Sequence, residues 1–253
     1  MIIKEILAKT AMTKTGIPGA DYVINPYVGC GHGCRYCYAD FIVRKFKKVS
    51  QPWGEFAQVK INAPEVLKEE IKRKKKGMVY LSSICDPYQP IEEKYKLTRR
   101  CLEILLEYQF PVSILTKSKL ILRDIGLFKK FEDCEVGLTI PTDDEQIRKI
   151  FEPKSPSVKD RIGTLDNLHS QGIYTYVFIG PILPQNPEHL ASLLLDKVDY
   201  VLIDKMNYPY KVARIYKKHG LEYALEPEYF RDVASKLKRI FGKSKIRVTV
   251  CFP

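Results

Sequence analysis

Short apolar runs alternate with longer segments of helical period along most of this chain. Tyr22 to Asn25, Met78 to Ser83, Val112 to Thr116, Glu135 to Ile140, Tyr174 to Ile179 and Tyr200 to Ile203 are compact and apolar, as strands of a parallel sheet are. Between them, Tyr38 to Lys48, Pro64 to Lys76, Glu93 to Tyr108, Leu120 to Phe131, Val158 to Gln171 and Pro187 to Leu195 read as helices, with Pro64 opening one and Gly172 closing another. Val59 to Asn62 reads as an extra edge strand. Helices near Tyr210 to His219 and Pro227 to Phe241 and an apolar run from Ile246 to Phe252 finish the chain. Six strand-then-helix units predict right-handed parallel crossovers around one sheet, an α/β fold that an incomplete (β/α)6 barrel fits. No repeat, low-complexity tract or Gly/Ser linker divides the chain. One domain is therefore expected over residues 1–253, with a core from about 20 to 205 and closing helices and a strand from 206 to 253.

Parallel barrels gather ligands at the C-terminal ends of their strands, which directs attention to the residues that follow each run. The first such stretch reads Asn25-Pro-Tyr-Val-Gly-Cys30-Gly-His-Gly-Cys34-Arg-Tyr-Cys37-Tyr38. Gly29, Gly31 and Gly33 let the backbone fold tightly, so thiolates at this C-x3-C-x2-C spacing can converge on one inorganic centre. Three cysteines leave one iron of a [4Fe–4S] cubane without a protein ligand, the open position a catalytic centre needs. Zinc on Cys30, Cys34, Cys37 and His32 is the alternative, although zinc sites usually draw ligand pairs from separated turns.

The spacing Cys30-x3-Cys34-x2-Cys37, with Tyr36 before the last cysteine, resembles the cluster loop of the radical S-adenosylmethionine (SAM) enzymes. The blocks NPYVGCGHGCRYCYA, SSICDPYQPIE, LTKS and FEPKSPS, spread from Asn25 to about Pro184, resemble the spore photolyase-like group within that superfamily. The resemblance implies a [4Fe–4S] cluster on Cys30, Cys34 and Cys37. The open iron then chelates the amino and carboxylate groups of SAM, and reductive cleavage gives a 5′-deoxyadenosyl radical. It also implies that Ser83, Cys85 and Asp86 lie where the SAM amino group is received, that Lys117 pairs with the carboxylate, and that Thr139 lies near the ribose. Tyr36 and Tyr38 pack around the adenine and cluster, or Tyr38 passes a hydrogen atom in a radical relay. Asp86 and Thr139 serve equally well as turn or cap residues, and Glu152 and Arg161 as a buried pair.

The sequence departs from the group at one position. Spore photolyase carries a cysteine hydrogen donor three residues before the equivalent of Asp86, and Ser83 stands there in this chain. A hydroxyl holds its hydrogen far more strongly than a thiol, which leaves Cys85 as a substitute donor or a lining residue. Cys101, Cys134 and Cys251 read as buried small hydrophobes.

Charge bears on the partner. The formal net charge is +12, with basic runs from Arg44 to Lys48 and from Lys72 to Lys76. Such a surface attracts polyanions, with nucleic acid first among them, and Tyr38, Tyr88 and Tyr210 are candidate platforms for unstacked bases. Glu69/Arg73 and Glu70/Lys74 at i,i+4 spacing read instead as helix support. Seven cysteines and no charged-then-apolar leader at Met1 lead us to expect a reducing cytoplasm, and no apolar run approaches the ~20 residues of a membrane span. The reading is thus a radical SAM enzyme of the lyase or DNA-repair type, reduced by a donor such as ferredoxin or flavodoxin. A radical SAM enzyme for a protein or small metabolite, and a non-enzymatic iron–sulfur or zinc protein binding nucleic acid, are the alternatives.

Overall fold

The computed structural model describes residues 1–47 and 49–253, so Lys48, expected to end the first helix and the first basic run, lies outside the described residues. Its strands are β1 (Ile2–Ile6), β2 (Met12–Lys14), β3 (Tyr22–Ile24), β4 (Tyr27–Val28), β5 (Phe56–Lys60), β6 (Val79–Leu81), β7 (Val112–Thr116), β8 (Cys134–Thr139), β9 (Tyr174–Ile179), β10 (Tyr200–Ile203) and β11 (Arg247–Val250). The main sheet runs in the order β11-β10-β9-β8-β7-β6-β3-β2. The six expected strands, β3 and β6 to β10, lie side by side and parallel, β11 adds a further parallel strand, and β2 pairs antiparallel with β3. This is the partial α/β barrel that the alternating pattern predicts.

One face of the sheet is mostly apolar, with Thr116 and Thr175 as its buried polar members. Val112, Ile114, Val136, Leu138, Val177, Ile179, Val201 and Ile203 are inaccessible to solvent and share a core with helix residues such as Leu102, Leu105, Leu165, Leu190 and Leu237. On the other face Gly137 sits opposite Tyr176 in register. A Cβ on Gly137 would stand 2.3 Å from the Tyr176 ring, so the glycine makes the space that this ring fills. Tyr176 in turn stacks on Tyr200 with centroids 4.8 Å apart.

Several helices stop where a carboxylate is needed elsewhere. The helix expected from Glu93 to Tyr108 breaks at Lys96 (φ 53°) into Glu92–Tyr95 and Leu97–Glu107. The buried Glu92 carboxylate accepts from the backbone N–H of Thr98 (3.0 Å) and Arg99 (3.2 Å), capping the second helix from outside it. Likewise, the helix from Ala63 ends at Glu70, whose carboxylate accepts from the N–H of Ala11 and Met12, and a 3-10 turn Ile71–Arg73 follows. Glu70 is thereby spent on β2, not on Lys74, and Glu69 pairs with Lys72 at 2.9 Å. The segment after Ser118 is a 3-10 turn, Lys119–Asp124, before a short helix Ile125–Phe128. Asp124 there is held by Arg99 (2.6 Å), Arg123 (2.9 Å) and the Tyr88 hydroxyl (2.9 Å).

β1 and β2 and the helix Glu145–Phe151 have no counterpart in the expectations, although Asp144 accepting from the N–H of Gln146 and Ile147 is an ordinary N-cap. β1, β5 and β4 form a second, three-stranded sheet, and β5 lies a few residues earlier than the edge strand expected at Val59 to Asn62. Cys101 is buried as expected, but Cys251 is exposed, because β11 is an edge of the main sheet. Among the described residues no helix is long and apolar enough to cross a membrane.

Gly137→Ala forces the Tyr176 ring from its place. The expected cost is about 1–3 kcal/mol of overpacking, read as a fall of several degrees in melting temperature by circular dichroism, with recovery in Gly137→Ala combined with Tyr176→Leu.

Candidate cofactor site at the barrel mouth

The cysteine loop leaves β4 and is fixed from three sides. Gly29 (φ 86°) brings the backbone against Phe56 of β5, where any Cβ would stand 2.6 Å from the ring. From the block after β6, the fully buried Gln89 spans the loop: its Oε1 accepts from Gly31 N–H (2.9 Å) and its Nε2 donates to Gly29 C=O (3.0 Å). Arg35 N–H donates to Phe151 C=O (2.9 Å), and Cys34 Sγ lies 3.8 Å from Ser155 Oγ. From the far end of the chain, Lys211 Nζ donates to Cys37 C=O at 2.5 Å. Asn25 holds the loop's approach to β6, its Oδ1 accepting from the N–H of Ser83 (2.8 Å) and Ile84 (3.1 Å).

A charge cluster lies beneath the loop. Glu152 is inaccessible and is shared by Arg161 (2.5 Å), Lys117 (3.6 Å) and the Tyr36 hydroxyl. Burial raises the Glu152 carboxyl, but Arg161 and Lys117 outweigh it and hold the group below its ordinary value. Arg161 also donates to the carbonyls of Thr139 (3.0 Å) and Pro156, so Thr139 is tied to this cluster through its backbone. Burial opposes the charge on Lys117, but the negative charge of Glu152 outweighs it and holds the amine above its ordinary value, and the amine lies 5.9 Å from the Tyr36 ring centre.

The Asp86 carboxylate is already engaged. It accepts from Tyr88 N–H (2.8 Å), Thr116 Oγ1 (2.5 Å) and Lys117 N–H (2.8 Å), and His32 Nε2 lies 3.3 Å from Oδ2. Burial opposes its ionisation, yet His32 and these donors lower it to about 2. His32 thus faces Asp86, while its Nδ1 is buried without a hydrogen-bond partner among the described residues. Ser82, at φ 68°, has a buried hydroxyl that faces the Cys85 thiol, and Ser83 Oγ accepts from Asn25 Nδ2 at 3.4 Å. The Cys85 thiol is turned to Tyr27 C=O (3.5 Å), packs with the small cluster around Tyr27 and Leu97, and is pushed by burial up to about 12. Tyr38 is half exposed and donates its hydroxyl to Ser83 C=O at the strand end. Tyr88, a candidate base platform by sequence, is fully buried, because its hydroxyl serves Asp124.

Burial pushes all three loop thiols up, Cys34 to about 12 even with Lys117 beside it. Loading a metal centre here must therefore displace protons. The thiols of Cys30, Cys34 and Cys37 lie within electrostatic reach of one another. Among the described residues, however, no three His, Cys, Asp or Glu side chains stand close enough to hold a single metal ion. Three thiolates on a Gly-hinged, enclosed loop suit a cubane, which spreads its ligands over separate irons.

Residues 24–196 match the family model of the radical SAM superfamily. This chain is a member of the radical SAM superfamily. An uncharacterized protein of Methanocaldococcus jannaschii is 40% identical over 236 residues, covering 92% of this chain and 87% of that protein. The radical SAM Nalpha-GlyT isomerase of Pseudomonas phage M6 is 26% identical over 161 residues, 63% of this chain and 32% of that protein. Among solved structures, spore photoproduct lyase complexed with dinucleoside spore photoproduct superposes with a TM-score of 0.74 at 13% identity, covering 99% of this chain and 82% of that one. Streptococcus suis SuiB bound to precursor peptide SuiA gives 0.60 at 14% identity, over 90% of this chain and 48% of that one. Both likenesses concern the fold. Membership in the superfamily implies a [4Fe–4S] cluster and SAM.

Gln89, Asn25, Ser155 and Lys211, which hold or touch the cysteine loop and its approach, were given no role by the motif reading. Gln89 lies inside the block SSICDPYQPIE, between two prolines, where a long polar side chain has little reason to be buried except to serve backbone. Gln89→Leu leaves Gly31 N–H and Gly29 C=O buried and unpaired, at about 1–3 kcal/mol each. Iron bound per chain after anaerobic reconstitution should fall sharply in Gln89→Leu and only partly in Gln89→Glu, which keeps the acceptor for Gly31.

Proposed function

We propose that Cys30, Cys34 and Cys37 hold one [4Fe–4S] cluster, that SAM lies across the ends of β6, β7 and β8, and that the enzyme acts on DNA, on a lesion or modified base. The observation that carries the cofactor reading is the enclosed loop set against the Lys117–Glu152–Arg161 cluster. Two buried cations around one carboxylate leave an excess positive charge facing the loop, which suits a ligand carboxylate. Lys117, at 3.6 Å from Glu152, is the looser of the two and turns to that ligand, while Arg161 keeps Glu152 satisfied.

When bound, the cluster supplies the electron that cleaves SAM reductively. Asp86 shapes the turn after β6, its lone pairs being spent on backbone and Thr116, so the SAM amino group is received by the strand-end carbonyls and the Ser82 hydroxyl, which can accept from it. Thr139 lines the ribose side. Tyr36, locked by Glu152, packs beside the cluster. Cys85 gives its thiol hydrogen to Tyr27 C=O and Tyr38 its hydroxyl hydrogen to Ser83 C=O, and Tyr38, the more exposed of the two, is the hydrogen-bearing group presented at the mouth. Support for DNA comes from the net charge of +12 and from the neighbour solved with a dinucleoside photoproduct. An external donor such as ferredoxin or flavodoxin reduces the cluster. We further propose that residues 1–253 act as one domain in the cytoplasm.

The test is anaerobic reconstitution followed by a reduced, SAM-supplied cleavage assay. Alanine at Cys30, Cys34 or Cys37 is expected to abolish SAM cleavage, and a variant with full iron and activity would sink the assignment. Lys117→Ala should weaken SAM binding about tenfold or more while leaving the cluster spectrum intact, since a hydrogen bond to a charged group contributes roughly 1.5–3 kcal/mol. Unchanged affinity would remove Lys117 from the carboxylate. Turnover of a peptide or metabolite with no product from DNA would move the substrate reading.

A further inference from the structure

Several of the chain's exposed aromatic side chains collect at the mouth. Tyr38, Phe41 and Phe46 on the helix Tyr38–Lys47 are 41%, 54% and 67% exposed, and Tyr208 and Tyr210 in the segment after β10 are 38% and 69% exposed. Tyr38, Phe41 and Lys45 share one helix face by their spacing, and Lys45 Nζ sits 6.0 Å from the Phe41 ring centre and 5.5 Å from that of Phe46. The two segments are stitched together by Lys211, whose amine bonds Cys37 C=O and lies 3.4 Å from Asp40 Oδ2. Tyr208 meets Tyr210 edge to face at 6.2 Å.

The charge here is of one sign. Residues 41–54 hold four Lys or Arg and no Asp or Glu, and residues 205–221 hold five and none. Asp40, at the junction, is neutralised by Arg44 (2.7 Å) and Lys211. Arg214, Lys217 and Lys218, on the helix Ala213–His219 that follows Lys211, are exposed. By contrast, the run from Lys72 to Lys76, expected by sequence to flank the cysteine loop, leads into the first residue of β6. It therefore lies at the opposite end of the strands, with Lys72 paired to Glu69 and Lys76 to Glu132 (3.6 Å).

We propose that the helix Tyr38–Lys47 and the segment from Lys205 to Leu221 form one shelf that grips single-stranded DNA and delivers an unstacked base to the mouth. The inference rests on the nucleic-acid reading above and deepens it. Cations alone would suit any polyanion. Bare rings interleaved with them suit bases whose faces are free, and a duplex hides those faces.

The test is fluorescence anisotropy of the reconstituted chain with a labelled thymine-rich strand of roughly 16 nucleotides, the upper site size of small single-strand binders, across a salt series. Phe41→Ala with Tyr210→Ala should weaken binding about fivefold or more with the salt slope unchanged. Lys45→Ala, Arg214→Ala and Lys217→Ala together should lower that slope by about 2, at roughly 0.7 per lost contact. Lys72→Ala, Lys74→Ala and Lys76→Ala together should change neither. Equal losses from that control set, or equal affinity for duplex, would overturn the shelf and leave the DNA reading standing. A strong preference for RNA would overturn the choice of DNA, and absence of nucleic-acid binding in the wild type would overturn both.

Discussion

A single buried carboxylate joins the cysteine loop to the ends of two barrel strands. Glu152 takes the Tyr36 hydroxyl from the cysteine loop, Lys117 from the end of β7 and Arg161 from the helix Val158–Ser170, all away from water. Arg161 carries the link to the end of β8 through Thr139 C=O. With the carboxylate gone, two cations would be left without their counter-charge in the interior, a loss of about 3–5 kcal/mol by comparison with broken buried pairs. The geometry of the mouth depends on this balance.

Around that centre the structure uses backbone hydrogen bonding in place of side-chain bulk. The Gly-rich loop cannot hold its own shape, since its glycines are free to adopt many conformations. Gln89, Phe151 C=O and Lys211 therefore fix its carbonyls and N–H groups from three different parts of the chain. Glu92 and Asp124 form a second layer behind it. Glu92 caps the helix Leu97–Glu107 while meeting Arg123 at 2.8 Å and the Tyr27 hydroxyl, and Asp124 holds Tyr88. The DPYQPIE block is thus anchored from behind as well as being presented to the site.

The mouth is also where the charge is uneven. Exposed Arg214, Lys217 and Lys218 add positive charge on the segment that Lys211 ties to the cysteine loop, whereas Lys72 and Lys76 at the other end of the barrel are paired with Glu69 and Glu132. Sequence position alone cannot distinguish these two basic runs, because each follows a helix-like segment. Their placement at opposite ends of the strands separates an interaction surface from a solvated edge.

The sequence by itself determined the parallel strands, most of the helices and the cysteine loop. These rest on local physics: apolar runs of strand length, glycine and proline punctuation, and a ligand set contained within eight residues. Only the tertiary structure decided which polar residues are free to act. Asp86 is spent on its own turn and on β7, Tyr88 is buried by Asp124, Cys85 is turned to Tyr27, and the helix after Glu92 is broken to receive that carboxylate. A side chain's partners come from segments tens of residues away, and hydrogen-bond capacity is used up by whichever of them packing brings close. For that reason the motif located the cysteine loop, and the fold set which polar residues around it are already engaged.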